Sequence, residues 1–321
     1  MKQFRLVVII PAFNEESTIG PVISQIPRKI EGISSIKILV VNDGSTDNTF
    51  DIASKAGASR VINHQWNMGL GVAFQTGIKE ALEEKADIVV NIDADLQFDA
   101  RDISKIVKPI VDQEADFVTC SRFLDKNFEP KLPFIKKFGN KIFTRLVNFL
   151  TNGNFTDTQC GFRAYSQEAC LRLNIFGKHT YTQEVFLSLS EHGMRIREIV
   201  CKVKGQRSGK SKVVGNVFSY GLKALLIMIR FVRDYRPLAF FGGIGIATLA
   251  FGVSIGAAVF LNWFFTGHTS PFTSLISVSG IIIILGFLIV MLALLADMNG
   301  RQRKTQEEIL YRLKKNELLQ G

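Results

Sequence analysis

The chain has 321 residues, 47% of them hydrophobic, with a mean hydropathy of +0.18 and a formal net charge of +10. That length holds one large domain or two smaller ones, and the apolar content is high for a purely soluble protein. The basic balance admits an anionic membrane or nucleic acid as partner, and the placement of the charges along the chain favours the membrane.

The N-terminus, Met1-Lys2-Gln3-Phe4-Arg5, runs straight into a strand-like segment and lacks the apolar core of a signal peptide. The first 120 residues then alternate strand and helix. Leu6–Ile10 reads as a strand and Ser17–Ile26 as a helix; Ile36–Val41 is the next strand, with a helix after Ser45-Thr46-Asp47. Val61–Asn63 is a short strand before a helix over Gly71–Leu82, and Ile88–Ile92 is a strand before a helix over Ala100–Val111; Asp116–Cys120 closes the series. Alternation of this kind predicts an α/β fold, a mainly parallel sheet with helices on both faces.

Three acidic loops follow from that arrangement. Pro11-Ala12-Phe13-Asn14-Glu15 follows the first strand, Asn42-Asp43-Gly44-Ser45-Thr46-Asp47 the second, and Asp93-Ala94-Asp95 the fourth. Parallel strands place all three on the carboxyl edge, where α/β folds bind ligands. Asp93 and Asp95 are hard oxygen ligands that suit Mg²⁺ or Mn²⁺, and a divalent cation there can hold a diphosphate. Glu15 and Asp43 can accept hydrogen bonds from a base or ribose; the alternative is that Asn14 and Ser45 or Asp47 only cap helices. Two other motifs fail. Gly69-Leu70-Gly71 has Phe74 where a dinucleotide fingerprint needs its third glycine, and Gly205-Gln206-Arg207-Ser208-Gly209-Lys210-Ser211 is one residue short of a Walker loop.

In Lys131–Thr151, Phe134, Phe138, Ile142 and Leu146 recur at i, i+4 while Lys137, Lys141 and Arg145 form a basic row, the pattern of an amphipathic helix. It fits either a surface helix packed on the core or a helix lying in a membrane interface. Val214–Phe231 is a second segment of this kind. From Arg195 to Arg236 eleven basic residues stand against only Glu198 and Asp234, and this cluster abuts an apolar stretch, which favours an anionic bilayer over nucleic acid. Pro237 to Ala296 contains no Asp, Glu, Lys or Arg. Its two stretches, Leu238–Phe265 and Phe272–Ala296, each exceed the ~20 residues that cross a bilayer, so a two-helix transmembrane hairpin is expected. Arg230, Arg233 and Arg236 before it, and Arg301, Arg303 and Lys304 after it, place both termini and the N-terminal domain in the cytoplasm by the positive-inside rule. Cys120, Cys160, Cys170 and Cys201 lack metal-ligand spacing and are expected to be reduced, buried thiols. The expected division is a cytosolic domain over 1–213, a juxtamembrane amphipathic segment over 214–237, two spans over 238–296 and a charged tail over 297–321.

Taken together, Pro-Ala-Phe-Asn-Glu, the Asn-Asp-Gly-Ser-x-Asp loop, Asn67-Met68-Gly69, Asp93-Ala94-Asp95-Leu96-Gln97, Ser121-Arg122-Phe123, Asp157-Thr158-Gln159-Cys160-Gly161-Phe162-Arg163 and Arg207-x-Gly209-x-Ser211-Lys212 resemble the family 2 glycosyltransferases of GT-A fold. Within them the resemblance is to the polyprenyl-phosphate (dolichol-phosphate) sugar synthases. It implies a nucleoside site lined by Pro11, Phe13, Asn14, Glu15 and Asp43, and a nucleotide-sugar site continuing through Asp93, Ala94 and Asp95. It implies a Mg²⁺ or Mn²⁺ ion among Asp93, Asp95 and Gln97, with Arg207 and Lys212 on the diphosphate. Arg122 would meet an acceptor phosphate; Lys131, Lys136 and Lys137 lie in the same region without a clean match. Asp95, Arg122 and Asp157 are the expected catalytic group, with Asp157 orienting or weakly basic, since a phosphate monoester is largely a dianion at pH 7 and needs no strong base. The implied partners are a nucleotide sugar, a polyprenyl phosphate and the bilayer; self-association and the choice of UDP or GDP sugar stay open. A processive polysaccharide synthase of the same fold would carry Gln-x-x-Arg-Trp, yet neither Trp66 nor Trp263 follows an arginine. A non-catalytic nucleotide-sugar-binding membrane protein would tolerate loss of the paired aspartates.

Overall fold

The structure is a computed structural model that describes residues 3–125, 127, 130, 134–175, 181–203, 229–230 and 232–320. By its contacts the chain forms two compact units, Met1–Val214 together with Leu310–Gly321, and Gly215–Ile309.

The first unit is built on a seven-stranded sheet. Its strands are β1 (Phe4–Ala12), β2 (Ile33–Asn42), β3 (Arg60–Asn63), β4 (Ile88–Asn91), β5 (Phe117–Ser121), β6 (Arg163–Ser166) and β7 (Ile196–Val200), in the order β3-β2-β1-β4-β6-β5-β7. β1 is central and parallel to both β2 and β4, which is why eight of its nine residues are buried and its sequence is a nearly unbroken apolar run. The sequence predicts the five strands of the alternating half and misses two. β6 is antiparallel to both β4 and β5, and β7 lies parallel to β5. The sheet is therefore mainly parallel, with one inserted antiparallel strand.

Helices cover both faces. Leu6, Val8 and Ile10 pack into one core with Ile19, Val22 and Ile23 of α1 (Ile19–Gln25) and Ile103, Ile106, Val107 and Ile110 of α4 (Ile103–Val111); α2 (Thr49–Lys55) adds Ala53. On the opposite face Ile9 lies against Gly77 of α3 (Leu70–Glu83), where even a methyl group would come 3.2 Å from its side chain. α5 (Phe134–Thr151), α6 (Gln167–Arg172) and α7 (Tyr181–Glu191) are further α-helices of this unit.

A disulfide joins Cys120 at the end of β5 to Cys201 just past β7, with Cα atoms 5.5 Å apart. This corrects the expectation of four reduced thiols: only Cys160 and Cys170 are free, both buried. The physical reason is register. Cys120 sits beside Ile199 in the parallel ladder, so Cys201 falls at the same end of the sheet although 81 residues separate the pair. Closing a loop of that length stabilises by about 4 kcal/mol in the chain-entropy account. Reduction is therefore expected to lower the melting temperature by roughly 8–16 °C. Thiol titration in denaturant without reductant should count two reactive cysteines; four would contradict the bond.

The second unit contains most of two long apolar helices, α8 (Pro237–Thr266) and α9 (Thr273–Gln320), with mean hydropathies of 2.2 and 3.0 in their most apolar windows. At 30 residues α8 is about 45 Å long, beyond the ~30 Å hydrocarbon core. Only 17% of each apolar window is buried, so these are not core helices of a soluble protein. The two pack backbone to backbone: a Cβ on Gly286 would lie 2.6 Å from Leu249 N, and Ser279 Oγ donates 2.8 Å to Gly252 O across the pair. α9 continues unbroken through the charged tail, and from Leu310 its last turns belong to the first unit. There Arg172 lies 3.6 Å over the Tyr311 ring, and Lys314 donates to Leu173 O (3.0 Å) and Asn174 Oδ1 (2.9 Å) at the end of α6. A cavity of about 700 Å³ lies between these turns, α3 and Leu173–Ile175, and none of its lining residues belongs to the three acidic loops.

Candidate active site

The loops after β1, β2 and β4 leave the carboxyl edge together, and the first two are fastened to each other. Asn14, at φ +54°, donates its N–H to Ser45 Oγ (2.9 Å) and accepts from Thr46 N (2.9 Å) through Oδ1. Glu15 N donates to Thr49 Oγ1 (2.8 Å), Glu16 N to Asp47 Oδ2 (3.2 Å), and Thr18 Oγ1 to Glu15 Oε2 (2.8 Å). Burial works against the Asp47 charge, but hydrogen bonds from Thr49 and Glu16 hold its pKa below the usual value. Pro11 and Ala12 are buried and extend β1 to pair with Val41 and Asn42, while Phe13 is half-buried at the turn.

Asp43 is buried, and its carboxylate serves the turn before α3. It accepts from Met68 N (2.9 Å), Gly69 N (2.8 Å) and His64 Nδ1 (2.7 Å), and His64 Nε2 meets Thr76 Oγ1 at 3.1 Å. Gly44 follows at φ +70°, where a Cβ would lie 2.7 Å from Trp66 Cα, so the two loops touch through backbone. The same turn leaves Trp66, Met68 and Leu70 exposed, an apolar rim absent from the expected site.

Asp93 and Asp95 flank buried Ala94, and Asp93, Asp95 and Gln97 are all half-buried. Asp95 Oδ1 accepts from Gln97 N (3.1 Å), and Leu96 between them takes φ +60°, which closes one tight turn. Beneath it, a Cβ on Gly161 would come 2.8 Å from Asp93 Cγ and 2.9 Å from Oδ1. Only glycine leaves that carboxylate in place. Among the described residues no three His, Cys, Asp or Glu side chains form a metal cluster. Two carboxylates and a carboxamide on one partly open turn are hard oxygen donors, which is how Mg²⁺ or Mn²⁺ is held when a diphosphate and water supply the remaining ligands. The residues present fit such an ion. Gly161→Ala is expected to displace Asp93 and weaken Mn²⁺ binding about 10-fold while the melting temperature moves by a few degrees at most. Calorimetric titration of Mn²⁺ checks this, and unchanged affinity would contradict it.

Beyond β5 lies a second cluster. Arg122 grips Asp157 with Nε (2.6 Å) and Nη2 (3.0 Å), and its backbone N–H adds a third bond at 3.2 Å. Asp157 is fully buried and also accepts from Gln159 N (3.1 Å) and, at 3.4 Å, from Asn140 Nδ2 of α5. It touches Arg122 rather than solvent, so it positions the guanidinium. Burial alone would lower the pKa of Arg122; Asp157, with smaller contributions from Cys160 and Asp93, raises it above its ordinary value. Since both contacts use Nε and Nη2, Nη1 is the edge turned away from the carboxylate. Burial pushes the Cys160 thiol up to about 12, so it is no nucleophile.

Two further residues hold this cluster and were not expected to. Arg163 on β6 is fully buried, donates to Thr158 O (3.0 Å) and Thr182 O (2.9 Å), and lies over the Phe186 ring at 5.1 Å. Glu198 on β7 accepts the backbone N–H groups of Thr156 and Asp157. Its signal in the sequence was its isolation as an acid between Arg197 and Lys202. Arg207 and Lys212 lie outside the described residues, as do Lys131, the side chain of Lys136, residues 214–228 and the Walker-like loop; Lys137 is exposed on α5.

Residues 7–173 match the family described as Glycosyl transferase family 2. A UDP-N-acetylglucosamine–dolichyl-phosphate N-acetylglucosaminyltransferase of Methanococcus voltae is 35% identical over 179 residues, 50% of this chain and 69% of that protein. A dodecaprenyl-phosphate galacturonate synthase of Rhizobium johnstonii is 24% identical across 94% of this chain and 89% of its own. Among solved structures, Mycobacterium tuberculosis glucosyl-3-phosphoglycerate synthase, in complex with Mn²⁺, UDP and glucosyl-3-phosphoglycerate, superposes with a TM-score of 0.52 at 21% identity. It covers 71% of this chain and 79% of that one, and shows that the sheet is of the GT-A kind. With the match running from β1 through α6 and so through all three acidic loops and the Arg122–Asp157 pair, this chain belongs to glycosyl transferase family 2 and is a glycosyltransferase.

Proposed function

We propose that the protein is a metal-dependent, inverting glycosyltransferase that moves one hexose from a UDP- or GDP-sugar to a polyprenyl or dolichyl phosphate on the cytosolic leaflet. The observation that carries this reading is the short loop from Asp157 to Gly161. Its first residue holds Arg122 and its last lies under Asp93. Four peptide units extend at most about 14 Å, so a cation and a pair of metal-type carboxylates share one small region. A transfer between two phosphate-bearing substrates needs such an arrangement, because two anions approach each other there.

A bound Mg²⁺ or Mn²⁺ on Asp93, Asp95 and Gln97 would neutralise charge developing on the leaving diphosphate. Arg122 Nη1 is the donor edge available to an acceptor phosphate, and Asp157 fixes its direction. No side chain has to remove a proton, since a monoester with a second pKa near ~6 is already mostly dianionic. Direct attack by the phosphate oxygen on the anomeric carbon breaks the bond to the diphosphate and inverts that carbon. Both relatives named above are named for isoprenoid phosphates, which supports the acceptor class. Leu310–Gly321 groups with the catalytic unit, which supports two membrane crossings with both ends of the hairpin on one side. The basic flanks support the cytosolic side.

The test is transfer by purified full-length protein, supplied with polyprenyl phosphate, Mn²⁺ and a panel of labelled nucleotide sugars. A mild-acid-labile glycolipid from one donor is expected. Folded protein that yields no product from any donor would overturn the reading.

A further inference from the structure

Glu198 lies outside the acidic loops, on the edge strand β7, opposite Thr119 of β5. Its two carboxylate oxygens collect four contacts from two residues. Thr156 N donates to both, at 3.0 and 2.8 Å; Asp157 N donates at 2.9 Å and Thr156 Oγ1 at 3.1 Å. Thr156 Oγ1 also meets Ser121 Oγ at 2.6 Å, and Ser121 Oγ accepts from Phe123 N at 3.2 Å. The network therefore reaches Arg122 from two directions: through Asp157, which grips the guanidinium, and through Ser121 and Phe123, its neighbours in the chain.

We propose that Glu198 is a positioning residue for the acceptor phosphate: by fixing Thr156, Asp157 and Ser121 it aims the Arg122 guanidinium. The proposal rests on the reading that Arg122 meets the acceptor, and it adds the element that sets the direction of that cation. A carboxylate is needed for this task. Every contact is a donor to it, and a glutamine would turn an NH₂ group toward the Thr156 N–H. Burial, reinforced by the nearby Asp157 charge, raises the pKa of Glu198, so the charge is kept there against a cost and held by hydrogen bonds. An ordinary surface carboxylate faces water or an exposed arginine, as Glu114 in the turn before β5 does with Arg197 of β7.

The experiment is calorimetric binding to full-length protein in detergent, with farnesyl phosphate as acceptor probe and Mn²⁺–UDP or Mn²⁺–GDP, whichever binds, as donor probe. Glu198→Gln is expected to weaken farnesyl phosphate about 10-fold and leave nucleotide binding within about twofold. Arg122→Lys should do the same, and the double variant should be no worse than Arg122→Lys alone, because both act through one group. Thr156→Val, a near-isosteric change, should weaken the phosphate probe in the same direction should Glu198→Gln fold poorly. Arg197→Gln, on the same strand but outside the network, should change neither probe. Unchanged phosphate binding in Glu198→Gln and Thr156→Val, or equal losses for both probes, would overturn the proposal while leaving Arg122 in its role. A neutral Arg122→Lys, or no farnesyl phosphate binding by the unaltered protein, would overturn the acceptor reading itself and this proposal with it.

Discussion

Asp95→Asn is expected to lower kcat by at least about 10²–10³-fold, the loss of one strong electrostatic contact to a developing charge. Melting temperature should stay within about 2 °C. The separation follows from geometry. Asp95 Oδ1 closes the turn by accepting from Gln97 N at 3.1 Å, and asparagine keeps an oxygen for that bond. What disappears is one negative charge beside Asp93, and with it most of the attraction for a divalent cation. Partial recovery at high Mn²⁺ would accompany the loss. Steady-state kinetics over a Mn²⁺ series measures both, and an Asp95→Asn protein with full turnover would show that transfer does not depend on a metal held by Asp95.

The second large effect is on stability. Asp157→Ala leaves the largely buried Arg122 guanidinium without its carboxylate, and uncompensated buried charge costs about 3–5 kcal/mol. In a unit of this size that lowers the melting temperature by roughly 6–20 °C. Arg122→Met combined with Asp157→Leu removes both charges and should recover much of that stability. It should recover no activity, since the cation that meets the acceptor is gone. Thermal melts and turnover on the three proteins decide the matter. A double variant that regains activity would show that Arg122 has only a structural part.

The alternating half of the fold was legible because parallel central strands are buried on both faces. Phe4–Ala12, the Ile38–Val41 half of β2 and Ile88–Asn91 announce themselves as apolar runs, and the acidic loops follow at their carboxyl ends. The other half was not. β6 is four residues long and begins with Arg163, a residue that no hydrophobic pattern assigns to a core; rings of Phe117 and Phe186 and two carbonyls accommodate it. β7 has no fully buried residue and mixes half-buried and exposed positions at the sheet edge, so its pattern is weak. The Cys120–Cys201 bond depends on strand order, which spacing along the chain does not contain. In the site, residue types were legible and their duties less so. Asn14 and Asp43 direct hydrogen bonds into neighbouring loops, and Asp157 faces Arg122 instead of solvent. Glu198 was visible as a lone acid in a basic stretch, but only the parallel pairing of β5 with β7 brings it to Thr156.

The most direct test is the ³¹P relaxation of farnesyl phosphate bound to the full-length protein with Mn²⁺ and nucleoside diphosphate present. The account predicts strong paramagnetic broadening, lost in Asp95→Asn through the metal and in Arg122→Lys through the phosphate. A bound farnesyl phosphate whose ³¹P signal ignores Mn²⁺ would place the two sites apart and contradict a transfer between them.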